Sequence, residues 1–274
     1  MTTPNHIAVI MSVYKNDSPT FFSMAMESLL SQTERNLDIF LMRDGPVPEA
    51  LEATIEKYLS DQRIHYYTRD ENKGLAHSLN ELLAVILPQE EYEFIARMDA
   101  DDISLPKRME RQMDFMKKNP EIDICGTYAL EIDAEGKPFF EKKMPSTHES
   151  CRKMMKARSC LVHPSVMFRR SFFCKAGLYP EDTYLAEDLK MWIKGFKAGC
   201  RFANIPEYLF QFRLDDHFFE RRRGYKHFCS MFKMRTRMAK EMGFGCSGYL
   251  YAALHASTKL FSPGMLRLAY KMRK

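Results

Sequence analysis

Residues 94–102 read FIARMDADD, an apolar run typical of a buried strand followed at once by three aspartates within four residues. Carboxylates this close repel one another, so the cluster carries an electrostatic cost. A divalent cation removes that cost, because carboxylate oxygens are preferred ligands of hard ions such as Mg2+ and Mn2+. The alternative is a solvated acidic turn that caps the next helix. An isolated Asp-x-Asp pattern favours that alternative, but its position after a buried strand favours the metal site.

The segments before this stretch alternate between strand-like and helix-like patterns. Three apolar runs precede 94–98 and predict strands at residues 7–13, 37–42 and 64–67. Between them, apolar residues recur every three or four positions, which predicts amphipathic helices. The order β-α-β-α-β-α-β predicts an α/β fold with a Rossmann-like, mostly parallel sheet flanked by helices. Asp44 and Asp99 then lie at the carboxyl ends of strands, where such sheets bind ligands.

The pattern beyond residue 102 is less regular. A loop-rich stretch that contains Pro138 and Pro145 follows residue 132. The elements predicted from periodicity are a helix near Met109–Met116, strands at 122–132 and 207–214, a helix at 185–198, and a helical end with a break near 243–248. The sequence thus predicts a helical extension after the α/β part.

The composition is that of a globular protein with one sizeable core or a core with an appendage. The chain has 274 residues, of which 45% are hydrophobic and 28% charged. Its seven cysteines are odd in number and form no CxxC pair. A disulfide framework or a structural zinc site is therefore not expected. No apolar run approaches the roughly 20 residues of a membrane span, and the start lacks a secretory pattern, so a cytoplasmic location is expected.

The charge is unevenly distributed along the chain. Residues 217–274 contain 13 Lys+Arg and 2 Asp+Glu, a net charge of +11, whereas the remainder contains 28 and 34, a net charge of −6. The two sum to the formal +5 of the whole chain. A basic end predicts an anionic partner: nucleic acid, an anionic membrane or a lipid-diphosphate substrate. Nucleic acid is disfavoured, since no recognised binding module is present.

Several short motifs follow one another along the chain. They are IAVIMSVY (7–14), SLLSQT (28–33), DG (44–45), NKGLA (72–76), ARMDADD (96–102) with Pro106, HPSVM (163–167) and AEDL (186–189). Taken in this order, they resemble the motifs of the inverting glycosyltransferase family 2, which has the GT-A fold. The resemblance covers roughly residues 5–215 and is strongest to bacterial enzymes that build O-antigen, capsule or exopolysaccharide.

The resemblance implies a donor site for a nucleotide-diphosphate sugar, with a UDP-sugar as the usual donor. Tyr14 would pack on the base, and Asp44 would accept a hydrogen bond from it. The alternatives are a core-edge aromatic and a turn residue before Gly45. The family often has two acidic residues where this chain has Arg43-Asp44. The implied donor-binding residues are Val13, Tyr14, Asp44, Asn72, Arg97, Asp99 and Arg213.

The resemblance also implies that Asp99 and Asp101 bind Mn2+ or Mg2+ while Asp102 orients its neighbours. His217 is the candidate third ligand. His163 is the competing candidate for this ligand. The Pro164 that follows it indicates a structural turn beside the acceptor site.

Glu187-Asp188 corresponds to the family's acid pair, in which the aspartate is the general base. Inversion needs a base on the face of the sugar opposite the leaving group, where it takes the proton from the acceptor hydroxyl. We therefore expect Asp188 to be the base and Glu187 to support acceptor binding. The alternative is that both acids cap the helix that follows.

The basic end mixes aromatic and cationic positions, with apolar residues near helical spacing. It predicts either an amphipathic helix that lies on an anionic membrane or a helix that packs on the catalytic domain. The acceptor would be a saccharide, carried by a lipid diphosphate in the membrane case. The expected division is 1–103 for the donor half, 104–216 for the acceptor half and 217–274 for the extension.

Two other functions compete with glycosyl transfer. A nucleotidyltransferase shares a Rossmann-like sheet and metal-binding carboxylates, but usually has a glycine-rich loop after the first strand, which SVYKN at 12–16 lacks. A non-catalytic subunit of a polysaccharide assembly complex would require an inert Asp188.

Overall fold

The computed structural model describes residues 6–183, 186–214, 224–262 and 264–265. Within these ranges, nine strands join into one mixed sheet. The strands are β1 (His6–Val13), β2 (Leu37–Asp44), β3 (Ile64–Arg69), β4 (Tyr92–Asp99), β5 (Ile103–Ser104), β6 (Ile124–Ile132), β7 (Pro138–Lys142), β8 (Met167–Arg169) and β9 (Phe202–Arg213).

Helices cover both faces of this sheet. The α-helices are α1 (Pro19–Leu30), α2 (Glu49–Glu56), α3 (Leu75–Ile86), α4 (Arg108–Lys118), α5 (His148–Met155), α6 (Ser171–Ala176), α7 (Glu187–Lys197), α8 (Tyr225–Glu241) and α9 (Gly245–Ser257). The predicted capping signal before the first helix is present, because the Ser18 side chain accepts a hydrogen bond from the backbone of Phe21.

The sheet order is β3-β2-β1-β4-β8-β6-β9-β5, with β7 paired to β6. The first four strands pair in parallel, as the alternating pattern predicts. In the second half, β6 and β9 are parallel, but β8 runs antiparallel to β4 and β6, and β5 and β7 are also antiparallel to their neighbours. A mostly parallel sheet therefore describes the donor half only, because the chain reverses after β4.

Alternation along the strands divides the interior into two apolar cores. On β1, Ile7 and Val9 pack with α1, α2 and α4 on one face, whereas Ala8 and Ile10 pack with α3 and α7 on the other. This two-sided burial explains why the first strands read as continuous apolar runs rather than as alternating ones.

The region predicted as loop-rich contains regular structure. It includes β7, which pairs only with β6, and α5, which begins with a reciprocal capping box between Thr147 and Ser150. The predicted strand at 207–214 is the second part of β9, which already begins at Phe202 and continues through the exposed Pro206.

The C-terminal region is helical over its described residues, and its break lies at Gly243 and Gly245, which both have positive φ. Met231 and Met238 of α8 join the same apolar core as Trp192 of α7. This face of α8 therefore packs on the catalytic domain, which was one of the two predicted alternatives. Among the described residues, no helix has both the length and the apolar character that a membrane span requires.

Candidate active site

The acidic cluster lies where β4 ends, and the backbone holds it beside β1, since Ser12 is the register partner of Asp99. One carboxylate oxygen each of Asp99, Asp101 and Asp102 lies within 4.8 Å of the others. Burial raises the pKa of Asp102, and the charges of Asp101 and Asp99 raise it further. Three converging carboxylates are the oxygen-rich arrangement that divalent cations prefer.

The Asp102 carboxylate is fully buried, and its two oxygens differ in their hydrogen bonding. Oδ1 accepts a hydrogen bond of 2.8 Å from the backbone N–H of Arg213, whereas Oδ2 has no hydrogen-bond partner among the described residues. A buried carboxylate oxygen without a partner is costly unless a proton or a cation neutralises it. The residues present therefore fit a divalent cation, and the role of Asp102 in orienting its neighbours stays a prediction.

Two buried arginines lie beneath the cluster. Arg97, on β4, forms an ion pair with Asp99, and its Nε and Nη1 have no hydrogen-bond partner within the part of the chain that the structure describes. Arg108, on α4, donates from Nη2 to the carbonyl oxygen of Arg97 at 2.8 Å. Burial lowers the pKa of Arg108 to about 9, because a desolvated cation is disfavoured. Arg97 thus contacts the acidic cluster directly, consistent with its predicted place on the donor side.

Arg213 is buried under the acidic loop and does not project from it. Its Nε donates to the carbonyl oxygen of Asp101 at 2.8 Å, and its Nη1 donates to the carbonyl oxygens of Asp133 and Ala134 at 2.9 and 3.0 Å. Its guanidinium also lies over the Phe21 ring, 4.1 Å from the centroid. The contact with a diphosphate stays a prediction; the structure gives Arg213 the role of holding the loop that carries Asp101.

Asp44 organises a turn between two segments of the donor half. Its Oδ1 accepts hydrogen bonds from Arg69 Nε and the Lys73 backbone N–H, and its Oδ2 accepts one from the Gly74 backbone N–H, all at 2.8–2.9 Å. Its carbonyl oxygen accepts a 3.1 Å hydrogen bond from the Asn72 side chain. These structural hydrogen bonds therefore already occupy most of the Asp44 carboxylate. Its contact with the nucleotide base stays a prediction.

The turn at Gly45 is packed directly against the 72–74 segment. Gly45 has φ +81°, and a Cβ built on it would lie 2.7 Å from the backbone nitrogen of Asn72. Only glycine combines this backbone conformation with so close an approach. The two motifs quoted separately in the sequence, 44–45 and 72–76, are thus one structural unit.

Val13 and Tyr14 lie at the carboxyl end of β1. Val13 is fully buried and is the register partner of Arg43, one residue before Asp44. Tyr14 is half-buried, and its backbone N–H donates to Asp17 Oδ2 at 2.8 Å. The ends of β1, β2 and β4 therefore bring most of the predicted donor residues to one edge of the sheet.

The acid pair occupies the first turn of α7. Glu187 and Asp188 are both half-buried, and Asp188 Oδ1 accepts a 2.6 Å hydrogen bond from the Leu189 backbone N–H. This is the geometry expected of acids at a helix start. The position is equally compatible with a base, because a short hydrogen bond to one oxygen orients the carboxylate without blocking the other.

A buried tyrosine that the sequence analysis missed interacts with both acidic groups. The pKa of Tyr179 is raised, mainly by burial and further by the carboxylates of Asp188, Glu187 and Asp99, while Arg97 acts in the opposite direction. Charge interactions are strengthened in the low-dielectric interior of a protein. Tyr179 is thus electrostatically linked to both the donor-side aspartates and the acid pair.

His163 connects the same region to α7. It lies in a short 3-10 helix (His163–Ser165), as the predicted turn requires, with Nε2 3.1 Å from the Tyr179 hydroxyl. Its ring meets Trp192 edge to face, with centroids 5.6 Å apart. His217, the predicted third metal ligand, lies outside the described residues.

The sequence contained a signal for only one of the missed residues. Arg69 ends β3 opposite Asp44 in the register, so a cation at that strand end was predictable from strand alignment. Arg108 is one of several cations of an amphipathic helix, and Tyr179 lies in a loop without periodicity. Neither is distinguished by its spacing.

A parallel α/β half with an acid triad at the end of β4, and a second acid pair nearby, defines a GT-A type glycosyltransferase. Residues 8–175 match the family described as "Glycosyl transferase family 2", and the chain belongs to this family. It is therefore an enzyme of glycosyl transfer, which counts against the nucleotidyltransferase alternative.

Two relatives are similar to this chain over most of its length. The chain is 29% identical over 266 residues to the amylovoran biosynthesis glycosyltransferase AmsE of Erwinia amylovora, covering 96% of this chain and 97% of the relative. It is 33% identical over 227 residues to an Escherichia coli UDP-Gal:alpha-D-GlcNAc-diphosphoundecaprenol beta-1,3-galactosyltransferase, covering 82% and 80%.

Solved structures share the fold at low sequence identity. S. aureus TarS 1-349 in complex with UDP-GlcNAc aligns with a TM-score of 0.64 at 17% identity, covering 86% of this chain and 66% of TarS 1-349. The mannosyltransferase PcManGT from Pyrobaculum calidifontis, in complex with GDP-Man and Mn2+, aligns with a TM-score of 0.62 at 14% identity, covering 98% and 79%.

Proposed function

We propose that the protein transfers a hexose or N-acetylhexosamine from a UDP-sugar to a saccharide hydroxyl, with inversion, in bacterial surface polysaccharide synthesis. The observation that carries the proposal is the acid triad of Asp99, Asp101 and Asp102 at the end of β4, in which one carboxylate oxygen of each residue lies within 4.8 Å of the others. Transfer needs a group that stabilises the departing nucleotide and a separate group that takes the acceptor proton. The triad would supply the first, and Asp188 in the first turn of α7 the second.

The donor would bind at the carboxyl edge of the sheet, within residues 1–103. Asp99 and Asp101 would hold Mn2+ or Mg2+, and a cation there would neutralise the charge of a nucleoside diphosphate. Val13, Tyr14 and the 72–74 turn would form the walls for the nucleotide. The Asp44 turn would hold that wall in place.

Asp188 would act as the general base on the acceptor side, which residues 104–216 would supply. Its carboxylate would take the proton of the acceptor hydroxyl while the hydroxyl oxygen bonds to the anomeric carbon and the nucleoside diphosphate leaves. The Leu189 N–H holds Oδ1, and Oδ2 has no hydrogen bond within the described part of the chain. Glu187 would orient the acceptor.

The identity of the nucleotide base is the most detailed part of the proposed donor. The names of the E. coli and S. aureus proteins include UDP-Gal and UDP-GlcNAc, whereas that of the P. calidifontis protein includes GDP-Man. Uridine is favoured by the relative of higher identity. The fold alone accommodates either base.

We also propose that the acceptor saccharide is carried by a lipid diphosphate, as in the name of the E. coli relative, and that α8 and α9 contact the membrane that displays it. Residues 245–257 of α9 carry no Asp, Glu, Lys or Arg. The exposed large apolar side chains of this region are Tyr225, Phe232, Tyr249, Leu250, Tyr251, Leu254, Leu260 and Met265. With the surrounding lysines, they match an interfacial surface for anionic lipids.

A thermal-shift series tests the donor site. UDP, GDP, ADP and CDP are compared with and without Mn2+, because a ligand that binds only the folded state raises its stability with occupancy. A shift with UDP that requires the metal supports the proposal, and no shift with any nucleotide contradicts it.

The transfer step is tested with a radiolabelled UDP-sugar and a lipid-diphosphate saccharide acceptor. Asp188→Asn should reduce kcat by about 10²–10⁴-fold and leave the UDP shift intact, because the amide cannot accept the proton. Normal kcat in this variant would remove Asp188 from the mechanism.

The membrane contact is tested by co-sedimentation with vesicles of phosphatidylcholine, with and without phosphatidylglycerol. Leu254→Glu, at a side chain 58% exposed on α9, should weaken binding to the anionic vesicles, whereas Val85→Glu, 37% exposed on α3, serves as the matched control. Equal binding of both variants and the unaltered protein would contradict the contact.

A further inference from the structure

A groove between α6, α7 and α8 has a volume of about 320 Å³, which is within the range of small-molecule sites. Its α7 wall consists of Lys190, Ile193, Lys194 and Lys197. This i, i+3, i+4, i+7 spacing places all four on one face of the helix. Lys190 follows Asp188 by two residues, a rotation of roughly 200° about the helix axis. The groove therefore lies on the side of α7 turned away from Asp188 and is separate from the candidate active site.

The walls of this groove carry an excess of positive charge. Its cations are Lys175, Lys190, Lys194, Lys197 and Arg237. Among the described residues, Glu241 is the one acid in the lining, and it pairs with Lys197 at 3.0 Å and with Arg237 at 2.6 Å. Asp123 and Asp182 lie outside the lining and pair with Lys175 and Lys190, respectively. Five positive and three negative charges leave a net charge of +2, which favours an anion as ligand.

Lys194 differs from the other cations of the groove. Those four each form an ion pair, whereas Lys194 forms none within the described part of the chain. Its Nζ donates a 2.6 Å hydrogen bond to the carbonyl oxygen of Leu178, which uses one of the three donors of an ammonium group. Partial burial lowers the pKa of Lys194, and the charge of Lys190 lowers it further, while Asp182 acts in the opposite direction. An anion in the groove would stabilise this cation and accept hydrogen bonds from its remaining donors.

The floor of the groove is apolar. Ala176, at the end of α6, and Ile193 line it and are buried, and Met234 of α8 adds a half-buried side chain. Inorganic phosphate would leave this apolar surface in contact with water, whereas a carbon group attached to the phosphate would cover it. The lining therefore matches a phosphate ester better than a bare ion.

We propose that the groove between α6, α7 and α8 is a binding site for a phosphate ester, with Lys194 as the main contact of the phosphate group. The ester has two possible sources, the headgroup of an anionic lipid and a soluble metabolite. The site does not depend on the proposed transfer reaction. In the lipid case it rests on the proposed membrane contact, and it would hold α7 and α8 against the membrane surface.

The chain offers a matched control for the removal of one lysine. Lys194→Met keeps an unbranched side chain and loses the ammonium group. Lys118→Met makes the same change in the last turn of α4, at an exposed position. Met116 of α4 and Trp192 of α7 belong to the two different apolar cores, so the control lies on the opposite face of the sheet.

The first measurement is the thermal shift with inorganic phosphate and with monobutyl phosphate, without divalent cations and with sodium chloride at equal ionic strength as the reference. Monobutyl phosphate at about ten times its Kd should raise the unfolding midpoint by about 2 °C, and inorganic phosphate should bind more weakly. Lys194→Met should weaken the affinity for monobutyl phosphate by about tenfold, whereas Lys118→Met should leave it unchanged.

The absence of any shift in the unaltered protein, or equal affinity in the two variants, overturns the site. Should Lys194→Met fail to fold, Arg237→Met takes its place, at a side chain 57% exposed, with the same expected loss of affinity. Equal affinity of Arg237→Met and Lys118→Met then overturns the site.

Co-sedimentation with vesicles distinguishes the two sources of the ester. If the ligand is a lipid headgroup, Lys194→Met should bind vesicles of phosphatidylcholine and phosphatidylglycerol more weakly than Lys118→Met does. Equal sedimentation of the two variants, together with the weakened monobutyl phosphate binding of Lys194→Met, supports the site and assigns it to a soluble ester. Leu254→Glu should keep the full monobutyl phosphate shift, so failure of the proposed membrane contact is seen separately from failure of this site.

Discussion

The packing of Gly45 against the 72–74 turn leads to a quantitative prediction. Gly45→Ala places a Cβ 2.7 Å from the Asn72 backbone nitrogen and 3.1 Å from the Glu71 carbonyl carbon, at φ +81°. Gly136→Ala meets the same backbone strain at φ +82° but has no neighbouring atom within 4 Å of its Cβ. The pair therefore separates the strain of the left-handed conformation from the steric clash.

The strain alone costs about 1–2 kcal/mol at each position. The clash adds about 1–3 kcal/mol at Gly45, because backbone cannot move aside as a flexible side chain can. We expect Gly45→Ala to unfold at a lower urea midpoint than Gly136→Ala and to bind UDP more weakly, with UDP affinity unchanged in Gly136→Ala.

The assay is urea unfolding followed by tryptophan fluorescence from Trp192, with UDP affinity measured by calorimetry. Equal loss of stability in the two variants, with equal UDP affinity, would refute the contact between the two turns. It would also remove the argument that these turns form one wall of the donor site.

Three further outcomes follow from the same contacts. Asp101→Asn should abolish the Mn2+-dependent part of the UDP thermal shift, because one carboxylate of the triad becomes neutral; persistence of a full Mn2+ effect would contradict the cation site. Arg213→Met should lower stability by about 1–3 kcal/mol and weaken the Mn2+ effect, since the acidic loop loses its hydrogen-bond donors; an unchanged Mn2+ titration would contradict that role. Lys142→Met should destabilise the protein, because it leaves the carboxylate of Glu131, 1% exposed, without its 3.1 Å ion pair. Adding Glu131→Gln to this variant should recover part of the lost stability, as measured by urea unfolding.

The first hundred residues were predictable because their signals are local. Three strands of the parallel half, β1, β2 and β4, are mostly buried on both faces and appear as apolar runs, whereas β3 is half-buried. The first helix follows the capping residue Ser18, and the strand ends carry Asp44 and Asp99 to a common edge. The motif order then identified the family before any contact was known.

The second half was less predictable, because its structure depends on contacts between distant segments. The antiparallel insertion of β8 between β4 and β6 follows from the path of the chain and not from its hydrophobic pattern. β7 is an edge strand with mostly polar or exposed residues, which resembles a loop in sequence. Pro206 interrupts the signal of β9, although the strand continues through it.

The site residues divide in the same way. The aspartates of 99–102 and the acid pair at 187–188 were recognisable as motifs. The partners of Arg213, by contrast, are carbonyl oxygens from segments about 80 and 112 residues away along the chain. Such partners have no sequence signature, so the structural role of Arg213 was visible only in the fold.

These structural roles affect how the enzyme would discriminate among sugars. Asp44 and Arg213 use most of their hydrogen-bonding groups to bind backbone atoms. The donor edge is therefore stiff, and these two side chains have little freedom to bind a ligand. Nucleotide recognition would then rely on backbone shape and a cation, both tolerant of the transferred sugar. Sugar and acceptor selectivity would consequently reside on the side of Asp188, where Tyr179 and α8 are assembled by the less regular half of the chain.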